Sequence, residues 1–191
     1  MTTAMIKTWA SPKAVLLSLP TRPHPYVRTT QQSLWTKNSK KYAEWKQSVR
    51  EQIGALSRTM PFSQSDVLGV ALSFAAERDT YEPKIKKNGE KSFAGAKTVL
   101  NWDLDNLMKG VLDAGTGVLY PDDMQIRFAG PVSAVRTDCN FIQIFLWNGG
   151  SPWSNLPVSM QTYVEQLSTK IHAGSSRLAK QGDRMAKRRT A

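Results

Sequence analysis

The chain has 191 residues, with 26 Lys and Arg against 15 Asp and Glu, for a formal net charge of +11. An apolar fraction of 40% suffices for one buried core, and the basic excess predicts attraction to a polyanion, nucleic acid above all. The lone cysteine, Cys139, excludes an internal disulfide, and His24 and His172 stand too far apart in sequence for zinc-ligand spacing or histidine-based catalysis. No apolar run reaches the ~18 residues of a membrane span, and the N-terminus lacks the pattern of a secretory signal. The expected setting is soluble, cytoplasmic and reducing, with no membrane partner.

In chain order, residues 14–19 form a short apolar run closed by Pro20 and read as a first strand. Residues 20–28, Pro-Thr-Arg-Pro-His-Pro-Tyr-Val-Arg, make a stiff loop carrying Arg22 and Arg28, either a plain surface loop or one facing nucleic acid. From 39 to 56, Tyr42, Trp45, Val49, Ile53 and Leu56 recur at three- and four-residue steps. They predict an amphipathic helix with its aromatics in the core and with Lys40, Lys41, Lys46 and Arg50 mostly off the apolar stripe. Residues 67–76 alternate Leu68, Val70, Leu72 and Phe74 with smaller side chains, the period of a strand. Residues 77–99 lose periodicity and hold Lys84, Lys86, Lys87, Lys91 and Lys97 with Gly89 and Gly95. A long loop is expected there, able to order on a phosphate backbone or to remain solvated.

A second helix is predicted over 104–114, where Leu104, Leu107, Met108, Val111 and Leu112 form one stripe, ended by Gly115 and Gly117. Strands follow at 125–128 and 140–147. The second is almost continuously apolar, as a central strand buried on both faces would be. After the break at Gly149-Gly150-Ser-Pro152, Pro157 opens a third helix with Met160, Val164, Leu167 and Ile171 at helical spacing. Beyond Gly174 the tail sets Arg177, Lys180, Arg184, Lys187, Arg188 and Arg189 against Asp183, a composition that stays disordered when free and binds nucleic acid through counterion release. The expected fold class is α+β (mixed α/β): a small sheet packed with two helices over residues 12–148, then a C-terminal helical extension and basic tail over 149–191.

Chemistry concentrates where the charge reverses. Asp103, Asp105, Asp113, Asp122 and Asp123 fall within 103–123 of an otherwise basic chain. On a helix, residues 105, 109 and 113 share one face, opposite the Leu/Met/Val stripe. Asp103 lies just before that helix, and a Gly-rich turn returns Asp122 and Asp123 toward it. Two carboxylates at ~4.5 Å repel by about 3–4 kcal/mol at an effective dielectric of about 20, so some must take a proton or share a cation. Hard oxygen donors select magnesium, or manganese in its place, over zinc, and such an ion serves phosphodiester hydrolysis. Lys109 stands where it could neutralise the scissile phosphate. Each acid also has an ordinary reading: helix caps for those at the N-terminus, an i, i+4 pair for Asp105 and Lys109, and turn residues for Asp122 and Asp123.

The ordered pattern Asp103-Leu-Asp105-Asn106-Leu-x-Lys109-x-x-x-Asp113, then Asp122-Asp123-x-Gln125-Ile, resembles the RusA-type Holliday junction endonuclease (crossover junction endodeoxyribonuclease) family. The resemblance directly covers residues 103–126, and the Pro-rich loop, first helix and flanking strands are compatible with it over 12–148. It implies a homodimer that makes magnesium-dependent paired nicks in four-way DNA junctions, one per subunit, in recombination and repair at the nucleoid. On the resemblance, Asp103, Asp105 and Asp123 are the metal-binding acids, Lys109 is the essential lysine and Asp113 is a recurrent acid. Asp123 is favoured over Asp122 because it stands two residues before Gln125, and Asp122 remains an additional candidate. The chain departs from short family members in its basic insertion between Asp79 and Val99 and its extension after Gly149.

No motif reads base edges, so branched double-stranded DNA is expected to be recognised by shape and phosphate. The expected contacts are Arg22, Arg28, Lys84, Lys86, Lys87, Lys91, Lys187, Arg188 and Arg189. Two other readings stay open: a non-catalytic basic DNA-binding protein with an idle acidic cluster, and a nuclease acting on flaps or RNA.

Overall fold

A computed structural model of the protein describes residues 4–28, 36–77, 84–85, 91–92, 103–137, 139–149, 152–167 and 169. The main-sheet strands are β1 (Met5–Ala10), β2 (Lys13–Leu19), β3 (Leu68–Glu77), β6 (Ile126–Thr137) and β7 (Phe141–Asn148). They lie in the order β1-β2-β7-β3-β6. Only β3 and β6 run parallel; the other neighbours are antiparallel. Two helices, α1 (Lys37–Leu56) and α2 (Leu104–Gly115), contribute to the core with the sheet, and β4 (Lys84–Ile85) and β5 (Lys91–Ser92) pair as a separate ribbon. The architecture is α+β, as the patterning predicts. No helix among the described residues is long and apolar enough to cross a membrane.

The period of two sorts the sheet into two buried faces. Val15, Leu17 and Leu19 of β2, Leu68, Val70, Leu72 and Phe74 of β3, and Ile142, Ile144 and Leu146 of β7 form one core with α1 and α2. Ala14, Leu16, Ala71, Phe145 and Trp147 point the other way, against Leu156, Met160 and Val164. Residues 158–167 are helical, so the predicted third helix forms and covers that second face. Strand β7 is the middle strand and buried from Phe141 to Trp147, which is why it reads as apolar but for Gln143.

Two strands exceed the sequence expectation. Strand β1 is an edge strand, paired with β2 from Met5 opposite Ser18 to Ala10 opposite Lys13. Trp9 packs edge-on against Phe145 and Tyr163, and Lys7 Nζ lies 3.6 Å from the Tyr163 ring centroid. Strand β6 continues past Phe128 to Thr137 because it is also an edge. The register passes from Val70–Ala129 to Leu72–Val132, so Gly130 and Pro131 sit in a bulge where proline costs no ladder bond. The basic loop expected over 77–99 lies largely outside the described residues, as do Lys86, Lys87, Lys97 and Ile171. The tail from Gly174, with Lys187, Arg188 and Arg189, also lies outside them.

A close approach on the second face sets its packing. Gly69 pairs with Trp147, and a Cβ at Gly69 would overlap the indole ring. Trp153 in turn packs on Trp147 with centroids 5.6 Å apart. Gly69→Ala is expected to destabilise the fold by about 1–3 kcal/mol, the usual cost of overpacking. The check is the denaturant midpoint at unchanged m value; a wild-type midpoint would mean that Trp147 is free to move aside.

Candidate active site on the second helix

Helix α2 is amphipathic in the expected sense. Leu107, Gly110, Val111, Ala114 and Gly115 are buried, which leaves Asp105 and Lys109 exposed and Asp113 half-buried. Asp103 is its N-cap: the carboxylate accepts from the Asp105 N–H at 3.1 Å, and Asn106 Nδ2 is 3.5 Å from its other oxygen. At the opposite end Arg50 Nη1 donates to Thr116 O at 2.5 Å and lies 3.5 Å from Ala114 O. A cation there satisfies terminal carbonyls and suits the negative end of the helix dipole.

The Pro-rich loop is strapped across this helix. The Tyr26 N–H donates to Asn106 O at 2.8 Å, and Trp45 Nε1 donates to Arg22 O at 2.8 Å, tying the loop to α2 and α1 together. A Cβ on Gly110 would stand 3.0 Å from His24 O and 3.3 Å from Tyr26 N, so glycine is what lets the loop lie this close. Arg28 remains exposed at the loop's end. Tyr42 and Trp45 belong to the packed interior, as expected, and Tyr42 OH donates to Asp113 Oδ2 at 3.2 Å.

A tight reversal brings the chain back. Gly117 adopts φ +77°, its N–H donates to Tyr120 O at 2.7 Å, and Tyr120 OH donates to Leu112 O at 2.9 Å. Asp122 then caps a 3-10 turn, Asp123–Gln125, by accepting from Met124 N at 2.8 Å, while Gln125 Oε1 accepts from Asp122 N at 3.1 Å. The Gln125 amide also donates to Ser63 O at 2.7 Å and Asp66 O at 2.9 Å. Asp66 accepts from Ser63 N at 2.7 Å and Asn148 Nδ2 at 2.6 Å, and pairs with Lys13 at 3.5 Å. Partial burial alone would raise the Asp66 carboxyl, but the Ser63 N–H and the Lys13 ammonium hold it below its ordinary value. The turn that carries Asp123 is thus bolted to the loop before β3.

Asp123 feels this crowding. Burial, then the neighbouring Asp122, then Asp113 raise its carboxyl above the ordinary value, and only Lys109 opposes them. The Tyr120 hydroxyl is pushed up by burial and by Asp123 and Asp113, so these groups share one electrostatic neighbourhood over the second half of α2. A crevice of about 220 Å³ opens alongside, lined by Met108, Leu112, Asp123, Ile126 and Arg127 among others.

The ordinary readings divide. Asp103 and Asp122 are caps, but Lys109 is ion-paired with neither Asp105 nor Asp113. Among the described residues no three acid, histidine or cysteine side chains are grouped to hold a metal ion. The donor chemistry nevertheless fits a hard cation: carboxylate oxygens, with the Asp123 carboxyl raised first by burial and then by its acidic neighbours. The partners Tyr26, Tyr42, Arg50 and Asp66 had no signal in the sequence. Gln125 did stand out, but as a motif marker rather than an anchor.

A raised acid is worth less to the fold when charged. Asp123 should cost stability at neutral pH, with the cost fading as pH falls through its raised pKa toward the unfolded 3.8. Asp123→Asn is therefore expected to stabilise the metal-free protein at pH 7 and to lose that advantage below about pH 4. Unfolding free energies measured across that range check the sign, and a destabilised Asn variant at pH 7 would contradict it.

Comparison with known proteins gives a family rather than an individual relative. No curated protein is significantly similar to the chain. Residues 19–144, about two thirds of the chain, match the family model described as Endodeoxyribonuclease RusA, and the matched span contains α1, α2, the Pro-rich loop and the acids from Asp103 to Asp123. The chain belongs to the RusA family of endodeoxyribonucleases, the Holliday junction resolvases.

Proposed function

We propose that the protein resolves four-way DNA junctions by magnesium-dependent hydrolysis, with Asp103, Asp105 and Asp123 holding the ion. The observation that carries this reading is the return of Asp123 over α2. It lies in the field of Lys109 and Asp113 on the helix whose first turn exposes Asp105, within the family-matched span. A basic chain of net charge +11 supplies the attraction to branched duplex DNA, and shape rather than base edges sets the preference.

Magnesium, or manganese in its place, supplies Lewis acidity toward the phosphate and an attacking water. Asp105 is exposed at the first turn and free to rotate toward it; Asp103 can join by giving up its cap bond to the Asp105 N–H. Asp123 would hold it from a turn fixed by Gln125. Lys109 places an ammonium where negative charge grows on the phosphate. Asp113, hydrogen-bonded to Tyr42, shapes the field without needing to move. Paired nicks require two such sites related by a two-fold axis, so the acting species is a homodimer with one cut per subunit.

Asp105→Asn is expected to reduce nicking of a fixed four-way junction in magnesium by about 10²-fold or more while leaving junction binding intact. Nicking and gel-shift assays on the same junction, with and without the metal, read both quantities. Loss of binding together with nicking would give Asp105 a folding role instead. Wild-type protein that binds but never nicks in magnesium or manganese would mark the acids as idle, and faster cleavage of flaps or RNA would change the substrate.

Arg22, Arg28, Lys84, Lys86, Lys87, Lys91 and the tail residues Lys187, Arg188 and Arg189 are the proposed phosphate contacts. Deleting the chain after Gly174 should weaken junction binding and flatten the plot of log affinity against log salt, by about 0.9 for each phosphate that the tail neutralises. An unchanged slope would exclude the tail from the interface.

A further inference from the structure

The lysine at the centre of the acidic face lies in the field of Asp123 and also over an aromatic ring. Lys109 has Asp105 four residues before it and Asp113 four after, yet it is ion-paired with neither. Its ammonium stands 4.4 Å from the centroid of the Tyr26 ring. Lysine has a flexible four-carbon stem that samples many rotamers in water, so an exposed lysine keeps one position only where something attracts its charge. The face of an aromatic ring does so within about 6 Å.

Tyr26 is itself constrained from several directions. Its N–H is bonded to Asn106 O in the first turn of α2, and Pro23 and Pro25 limit the backbone before it. Its ring meets Tyr42 edge-on, with centroids 5.7 Å apart and planes at 83°. Tyr42 is buried and gives its hydroxyl to Asp113. The sequence Lys109, Tyr26, Tyr42, Asp113 therefore forms a bracket that joins two successive turns of α2 to α1 and the loop.

Resting on the reading that Lys109 serves phosphodiester hydrolysis, we propose that Tyr26 is a positioning residue that holds the Lys109 ammonium away from Asp105 and Asp113. The consequence is chemical. A lysine folded onto Asp105 would neutralise a carboxylate that has to serve a cation, and one folded onto Asp113 would withdraw from the phosphate. The ring keeps the ammonium between them without consuming either charge. The hydroxyl of Tyr26 plays no part in this, so phenylalanine should replace it.

The test uses the full chain and begins without DNA or metal. In wild type the Lys109 ε-methylene protons should show an upfield ring-current shift in the NMR spectrum. Tyr26→Leu should return them toward the position of a solvated lysine, and Tyr26→Phe should keep them shifted. In junction nicking, Tyr26→Leu is expected to lower kcat about tenfold with KM little changed, and Tyr26→Phe to restore it. The NMR spectra also verify that each variant is folded.

A wild-type Lys109 signal without the ring-current shift would overturn the positioning. So would a Tyr26→Leu enzyme of full kcat alongside an inactive Lys109→Gln. Full kcat in both variants, with the ring-current shift present in wild type, would instead overturn the role given to Lys109, and the two failures are thereby told apart.

Discussion

Carboxylates gathered on one helix and its return turn repel one another, and every contact around α2 works against their separation. The helix cannot rotate its acids away, because Leu107, Val111 and Ala114 are locked into the core on its other side. It cannot shift along its axis easily, because the Tyr26 N–H grips the carbonyl of Asn106 at one end and Arg50 grips the carbonyls at the other. The returning turn cannot swing out, because Gln125 spans to two carbonyls of the loop before β3. Hydrogen bonds and burial thus hold in place an arrangement that repulsion among the carboxylates disfavours. The backbone that carries the acids is thereby fixed, and the movement left for a reacting complex is side-chain rotation at Asp103 and Asp105.

The same logic explains the second face of the sheet. A five-stranded sheet with helices on only one side would leave Phe145, Trp147, Ala71 and Leu16 in water. Residues 152–167 cover them, with Trp153 on Trp147 and Tyr163 on Trp9. Much of this layer lies outside the family-matched span of residues 19–144, on β1, the start of β2 and the segment after β7. The N-terminal hairpin and the C-terminal helix meet each other there, through Lys7 over the Tyr163 ring and Trp9 against Tyr163. They extend the sheet and cap the face opposite α2.

What could be read in advance follows from what periodicity reports. Helices α1 and α2 bury a regular subset of their own residues and strands β2, β3 and β7 are buried almost throughout, and both patterns are visible in the sequence. Strand β6 escaped beyond Phe128 because Gly130 and Pro131 mimic a chain break, and only an edge position with a bulge makes them compatible with a strand. Strand β1 escaped because it is a half-buried edge with little alternation. At the site, the acids and Lys109 stood out against a basic background, whereas their supports did not. Tyr42 reaches Asp113 across 71 residues, Arg50 reaches Thr116 across 66 and Gln125 reaches Ser63 across 62. A pattern of spacing says which side of a helix is buried; it carries no information about which residue of a distant element will lie opposite.

The magnitudes show why the arrangement persists. Full burial of a large apolar side chain stabilises a fold by about 1.5–3 kcal/mol, and Leu107, Val111, Leu119 and Tyr120 are all buried around the acidic turn. Their combined contribution, roughly 6–12 kcal/mol on that scale, exceeds the few kcal/mol that a close carboxylate pair costs at an effective dielectric of about 20. The repulsion need not be relieved inside the free protein; together with burial, the larger cause, it appears as the raised proton affinity of Asp123. The burial and neighbouring charge that raise the proton affinity of Asp123 also favour any other positive partner there. Apolar packing beneath α2 and affinity above it are in this sense one property of the helix, set by which residues face in and which face out.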